Sequence, residues 1–239
     1  MIIIPARIGS SRFPNKVLAD ILGVPMVIRT AQAVERIDTV TIATDTEEIV
    51  ELAESYGFQA ILTSEAHQSG TDRIHEAAQV LGLPPKEVIL NVQADEPFLE
   101  ADVVERVQAL TRERVDGETI LAASAYKRIS NPEADDPNLV KVVTDAEEIA
   151  LYFSRAKIPY PRDHHFDAYK GHLGIYGYTM ASLERYCALP PSPLEEIEKL
   201  EQLRILGHGG RIAMVEVQTE SFGIDTPEDL QRALRKHLL

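Results

Sequence analysis

Apolar residues in the first half of the chain fall into short unbroken runs, separated by stretches where they recur every three or four positions. Residues 1–5, 40–44, 59–63 and 88–92 are nearly continuous, the pattern of strands covered on both faces. Residues 24–34, 46–56 and 71–81 lie between them and repeat at helical spacing. At Asp45-Thr46-Glu47-Glu48, cap-forming and acidic side chains stand where a helix N-terminus favours them. Strand and helix in alternation predict right-handed βαβ crossovers and a mostly parallel sheet.

The second half is less regular. Residues 120–124, 139–143, 150–153 and 173–178 read as strands with no helical pattern between them, so a mixed sheet or a small appended layer is expected there. Residues 193–206 read as one amphipathic helix. Leu194, Ile197, Leu200, Leu203 and Leu206 recur at three-residue intervals and Ile205 widens the stripe. Glu195, Glu196, Glu198 and Lys199 would be its solvated face. A last strand at 212–217 precedes Asp225-Thr226-Pro227-Glu228-Asp229, where Asp or Thr caps a helix and Pro takes its first turn. No repeat, low-complexity tract or linker divides the chain, which reads as a single α/β domain.

Charge and cysteine content narrow the function classes. The 239 residues carry 38 acidic against 24 basic side chains, a net −14. That balance weighs against a general nucleic-acid binder and against attachment to anionic lipid. It does not bar a site for a small anion, because net charge says nothing about placement. Cys187 is the only cysteine, which removes a disulfide framework and any multi-cysteine metal site. It reads as a small half-buried side chain, with a catalytic thiol as the alternative. The apolar start MIIIP is too short for a signal-peptide core, and no run approaches the length of a spanning helix. A cytoplasmic protein is expected.

Positive charge is concentrated in two places. The segment Pro5-Ala6-Arg7-Ile8-Gly9-Ser10-Ser11-Arg12-Phe13-Pro14-Asn15-Lys16 follows the first strand, and the first acid is Asp20. Open α/β sheets bind ligands beyond the carboxyl ends of their strands. Gly9 would let backbone amides turn toward an anion, and Arg7, Arg12 and Lys16 would neutralise phosphate. Neither GxGxxG nor Gly-Lys-Ser/Thr is present. A solvated basic loop is the alternative, and the position after a βα switch favours the anion site. Residues 154–162 form a second acid-free run, with Arg155, Lys157 and Arg162. His164-His165 lacks a third ligand at metal spacing and reads as an exposed loop.

The opening Ile4-Pro5-Ala6-Arg7-x-Gly9-Ser10-Ser11-Arg12-x-Pro14-x-Lys16-x-Leu18 resembles that of the sugar-nucleotide transferases, in particular the CMP-Kdo synthetases (3-deoxy-manno-octulosonate cytidylyltransferases). Four further segments are similar to that family: His67-Gln68-Ser69-Gly70-Thr71-Asp72-Arg73, Asn91-Val92-Gln93-Ala94-Asp95-Glu96-Pro97, His172-Leu173-Gly174-Ile175-Tyr176-Gly177-Tyr178 and Glu201-Gln202-Leu203-Arg204. So is the tail Gly223-Ile224-Asp225-Thr226-Pro227-Glu228-Asp229-Leu230. The opening motif is shared with related nucleotidyltransferases; the six together, spanning nearly the whole chain, are specific. Ala94 departs from the family's usual glycine. A methyl group there would crowd backbone near the nucleotide but removes no functional group.

The resemblance implies a three-layer, Rossmann-like nucleotidyltransferase fold with a mostly parallel, mixed central sheet and a small appended β region. One domain, 1–239, is expected, with 1–110 mainly binding nucleotide and 138–206 mainly binding sugar and dimerising. The implied reaction is CTP + Kdo → CMP-Kdo + pyrophosphate, serving lipopolysaccharide biosynthesis, with Mg2+ as cofactor, a homodimer as the assembly, and no nucleic acid or membrane as partner. Arg7, Lys16 and Asp95 form the implied catalytic set, and Ala6, Gly9, Ser10 and Arg12 join Arg7 and Lys16 around the triphosphate. Ser69, Gly70, Thr71, Arg73 and Gln93 would read the cytidine, and Asp95 and Asp225 would bind magnesium. Arg155, Arg162, His172, Tyr176, Glu201 and Gln202 would hold Kdo.

The residues alone leave alternatives open. Asp225 is equally a helix cap, Ser69-Gly70-Thr71 a helix start, His172 a satisfied core histidine, and Glu201 and Gln202 solvated helix positions. Two other functions stand beside the first. One is a related nucleotidyltransferase for another sugar or base, distinguished by the sugar-side residues. The other is a non-catalytic nucleotide binder, which has less need of both Asp95 and Asp225 beside Lys16 and Arg7.

Overall fold

The computed structural model describes residues 1–9, 13–67, 69–163 and 166–237. The chain groups into two compact units. One comprises Met1–Pro84, Ile89–Val104 and Glu220–Leu239, the other Pro85–Val88 and Glu105–Thr219.

The chain begins in the first unit with β1 (Ile2–Ala6), a hairpin of β2 (Asp20–Ile21) and β3 (Val24–Pro25), and α1 (Met26–Val34). There follow β4 (Val40–Thr44), α2 (Glu47–Ser55), β5 (Gln59–Leu62), α3 (Gly70–Val80) and β6 (Val88–Asn91). Along α4 (Ala101–Arg114) the chain passes into the second unit. β1 lies parallel between β4 (Ile3↔Thr41) and β6 (Ile3↔Asn91), and β4 pairs parallel with β5 (Ile42↔Ala60). Every residue of β1 and β4 is buried, so their apolar runs are unbroken because neither face meets water. The helix expected from residue 24 starts at Met26. Leu22 and Gly23, both at positive φ, turn the chain so that Ile21 pairs with Val24, as a tight two-residue hairpin requires.

The second unit contains β7 (Ile120–Ile129), β8 (Lys141–Thr144), β9 (Ala150–Ser154) and β10 (Tyr169–Thr179). It continues with α5 (Met180–Cys187), α6 (Pro193–Glu198), α7 (Leu203–Gly207) and β11 (Arg211–Glu216). β7 pairs antiparallel with β10 and parallel with β11, while β8 pairs antiparallel with both β10 and β9. This is the expected mixed sheet with a small antiparallel addition. Gly171 permits the close approach of β10 to β7, since a Cβ there would stand 2.8 Å from Ile129 Cγ2. The chain then returns to the first unit with α8 (Pro227–His237).

The single helix expected over 193–206 is two short ones. Lys199 sits in the left-handed region (φ 54) and ends α6. A stripe repeating every third residue drifts around an α-helix, which turns once in 3.6. Leu194 and Ile197 therefore remain 38% and 79% exposed while Leu200 and Leu203 are buried. Two of the acids expected on a solvated face have partners instead. Glu195 pairs with Arg204 at 2.6 Å, and Glu198 accepts from Ser154 Oγ and the Arg155 backbone N–H. No helix among the described residues is long and apolar enough to cross a membrane.

Candidate active site

In the first unit the predicted nucleotide-side residues collect at the carboxyl ends of the parallel strands. Ala6 closes β1 and is buried, Arg7 is exposed beyond it, and Ser10 and Arg12 lie outside the described residues. Gly9 is not in the left-handed region and has open space where a Cβ would stand, so the fold of the chain alone does not demand glycine there. Lys16 opens a single 3-10 turn, Lys16–Leu18. Its Nζ donates to Asp95 Oδ2 at 2.5 Å and to Asp225 Oδ1 at 2.9 Å. Burial pushes the ammonium pKa down, but the two carboxylates outweigh it and hold the value above the usual 10.5.

Two local arrangements bring the carboxylates together. Asp95 sits in the turn after β6, where Glu96 N donates to Gln93 O. Ala94 is buried, and its carbonyl accepts from Thr30 Oγ1 of α1 at 3.0 Å. From the other end of the sequence, Ile224 N donates to Asp95 O at 2.9 Å. The helix cap that Asp225 was equally placed to form belongs to its neighbour. Thr226 Oγ1 accepts from Asp229 N, and Asp229 Oδ2 accepts from Thr226 N at 3.0 Å. Asp225 thereby keeps its carboxylate for Lys16.

This donor set suits a small hard cation. The carboxylates are all-oxygen ligands, already converge on one positive charge, and are 23% and 44% exposed, which leaves room for water or substrate oxygens. Among the described residues no group of three or more His, Cys, Asp or Glu could hold a metal. Magnesium, however, is commonly held by one or two carboxylates with substrate phosphates and retained waters, so two carboxylates fit.

The first turn of α3 is fixed tightly. Ser69 caps it, accepting from Asp72 N at 3.0 Å. A Cβ on Gly70 would lie 3.2 Å from Pro5 Cγ and 3.6 Å from Gln93 Oε1, and Thr71 is buried. Gln93 Nε2 donates to Asn91 Oδ1. Arg73 points inward, its side chain 3% exposed, donating to Asp45 Oδ2 at 2.8 Å and Thr63 Oγ1 at 2.6 Å. Sequence reasoning assigned nothing to Asp45 beyond a helix start, and nothing to Thr63. The one available signal was an acid directly after a buried strand.

The sugar-side candidates fall in the second unit. Arg155 gives its guanidinium to three backbone carbonyls, those of Glu198 (2.8 Å), Pro137 (3.1 Å) and Lys199 (3.3 Å). Arg162 is 89% exposed beside Asp163. His172 and Tyr176 do come together, their rings 5.4 Å apart, and Phe153 meets His172 edge-on at 5.0 Å. His172 Nε2 lies 3.0 Å from Ser124 Oγ, and burial lowers the imidazole pKa to about 3. Burial likewise raises the Tyr176 phenol. Gln202 is buried, whereas Glu201 is exposed and its carbonyl accepts from Tyr186 Oη. Nothing in the residue pattern marks Lys141, a fully buried lysine whose Nζ donates to the carbonyls of Asp136 (2.8 Å) and Arg155 (2.7 Å).

Comparison with known proteins places the chain in a family. Residues 1–212 match the family described as cytidylyltransferase. A 3-deoxy-manno-octulosonate cytidylyltransferase of Nitratiruptor sp. is 58% identical over 97% of both chains, and that of Wolinella succinogenes is 56% identical over 98% of both. A solved CMP:2-keto-3-deoxy-manno-octonic acid synthetase, complexed with CTP, superposes with a TM-score of 0.89 at 38% identity, covering 99% of this chain and 97% of that one. A glucose-1-phosphate thymidylyltransferase of Bacillus anthracis shares the fold alone, with a TM-score of 0.65 at 18% identity over 98% of this chain and 94% of that one. The chain belongs to the cytidylyltransferase family.

Proposed function

We propose that this cytidylyltransferase activates Kdo: CTP + 3-deoxy-manno-octulosonate → CMP-Kdo + pyrophosphate. The anomeric hydroxyl attacks the α-phosphorus, the bond from it to the bridging oxygen breaks, and pyrophosphate leaves. The observation that carries this reading is the convergence of Asp95 and Asp225 on Lys16, in a chain 58% identical along nearly its whole length to a relative named for that transfer.

Phosphoryl transfer asks mainly for positioning and charge neutralisation. Arg7 and Lys16 would hold the triphosphate and stabilise departing pyrophosphate, with Ala6, Gly9, Ser10 and Arg12 around it. Ser69, Gly70, Thr71 and Gln93 would face the cytidine, and short donors at a helix start suit that task. Asp95 and Asp225 would hold magnesium. When bound, that ion supplies positive charge to the phosphate oxygens. For the sugar acid, Arg162 has the exposed guanidinium. His172, neutral at physiological pH, would offer a hydrogen bond rather than a charge, with Tyr176, Glu201 and Gln202 beside it. Arg155 would join them only by giving up carbonyl partners, so it serves first to shape that wall. A homodimer, a cytoplasmic location and a place in lipopolysaccharide assembly complete the proposal.

Pyrophosphate release tests it across the four nucleoside triphosphates, with and without Kdo and magnesium. Release is expected only with CTP, Kdo and the metal together. Equal turnover with UTP, or with a sugar lacking the carboxylate, would replace it by the reading of a broader nucleotidyltransferase.

A further inference from the structure

The first turn of α3 is pinned from beneath by strand ends of the first unit. Pro5 of β1, and Gln93 just after β6, stand so close that a Cβ on Gly70 would meet both. Those contacts hold only one edge of the turn. The other edge is held by Arg73, one helical turn past the Ser69 cap. Its guanidinium spans two strands, reaching Asp45 just after β4 and Thr63 just after β5. Thr63 is fixed in turn. Its backbone N–H and its hydroxyl both donate to Thr44 O, at 2.7 and 2.9 Å. The four parallel strands therefore all bear on the segment Ser69-Gly70-Thr71.

The clamp is buried and specific in geometry. Arg73 and Thr63 are 2% and 5% exposed. The second oxygen of Asp45, Oδ1, is buried with no hydrogen-bond partner among the described residues, so this carboxylate is spent on Arg73 rather than on the loop around it. A planar guanidinium shared by a carboxylate and a hydroxyl fixes both distance and angle, which a flexible ammonium cannot do. Simple core filling would not call for such an arrangement, because a buried ion pair of this kind contributes little net stability compared with well-packed apolar side chains.

We infer that Asp45 and Thr63 are positioning residues for nucleotide recognition, setting through Arg73 the place and tilt of the α3 start that reads the base. The inference rests on the proposed use of Ser69-Gly70-Thr71 for cytidine. Neither residue needs to touch the nucleotide. Their effect is to hold short donors where one pyrimidine edge fits better than another, since a small displacement of a positioned group is enough to weaken recognition.

Calorimetric binding of CTP and UTP, with steady-state kinetics, tests it on the full chain. Asp45→Asn removes the charge facing Arg73, and Thr63→Val removes the hydroxyl at nearly constant shape. Thr63→Ser keeps the hydroxyl. The expected result is a CTP dissociation constant raised about tenfold in Asp45→Asn, less in Thr63→Val, and restored in Thr63→Ser. The preference for CTP over UTP should narrow in step, with kcat and the KM for Kdo nearly unchanged. Combined with Arg73→Lys, Asp45→Asn should add little further loss, because the two act as one unit. CTP affinity within about twofold of wild type in both Asp45→Asn and Thr63→Val, whatever happens to the melting temperature, would overturn the clamp and leave a structural pair. Should Asp45→Asn fail to fold, Thr63→Val against Thr63→Ser decides alone. A wild-type protein that does not bind CTP removes the proposed function and this inference together, whereas wild-type binding with unaffected variants removes only the inference.

Discussion

Two lysines, one in each unit, show how differently the same side chain is used. Lys16 is mostly buried and faces two carboxylates; Lys141 is wholly buried and faces two backbone carbonyls. The carboxylates raise the pKa of Lys16 against the opposing effect of burial, while burial lowers that of Lys141. Around Lys16 the acceptors are themselves charged and partly open, so another cation can compete for them. Around Lys141 the acceptors are peptide groups that no ligand can draw away. Arg155 extends the second pattern, with its guanidinium committed to three carbonyls. A buried cation does not mark a functional site by itself; the mobility and charge of its acceptors do.

The largest expected effect comes from the first lysine's partners. Asp95→Asn should lower turnover about a thousandfold, as removal of a charge-stabilising group does. The melting temperature should move by no more than about 2 °C, because the Asp95 carbonyl still holds Ile224 and Lys16 still keeps Asp225. A melting point that collapses alongside activity would make the carboxylate pair structural and erase the contrast. Lys141→Met should do the reverse. Two backbone carbonyls lose their donor, and urea denaturation should show a loss of about 1–3 kcal/mol, with CTP affinity unchanged. Weakened CTP binding in that variant would break the division of labour.

At neutral pH the smallest effect is that of His172, which shows only as a pH dependence. His172 takes up a proton near 6.5 when unfolded but only near 3 when folded. The unfolded chain thus binds more protons across that window, and stability falls as pH drops from about 6.5 toward 3, by at most about 1.4 kcal/mol per pH unit from this group. His172→Gln should flatten the slope in urea titrations between those limits. An unchanged slope would mean that the ring is not held neutral.

Much of the first unit is legible from the chain because β1 and β4 are buried on both faces, and little else produces an unbroken apolar run of that length; β5, expected to be covered likewise, is an edge strand with Gln59 and Leu62 exposed. The candidate site was most legible at Asp95, an acid just after a buried strand; Lys16 lay in a basic segment that also read as a solvated loop. It was less so where a position had two plausible uses. Asp225 could be read as a cap until Thr226 and Asp229 were seen to form one between themselves. α4 escaped notice because Gln108 and Thr111 occupy buried positions in it and dilute its apolar stripe, the Thr111 hydroxyl being satisfied locally by Val107 O. The division of residues 193–206 escaped because its cause lies far away in sequence. Arg155 collects the carbonyls of Glu198 and Lys199, some 44 positions distant, and no local pattern carries that information.

The return of residues 220–237 to the first unit has a consequence for biosynthesis of the protein itself. Asp225 meets Lys16 across 209 positions of sequence, so along the chain the second unit's long segment, Glu105–Thr219, falls between two segments of the first. While the chain is still being made, the opening loop and Asp95 exist with only half of the carboxylate pair. An unfinished or carboxyl-terminally clipped chain would retain a nearly whole β-sheet and Lys16 paired to a single acid. On the proposed function, a chain clipped before Asp225 would keep Lys16 and Asp95 and still lose turnover, because the second carboxylate arrives from 209 positions away.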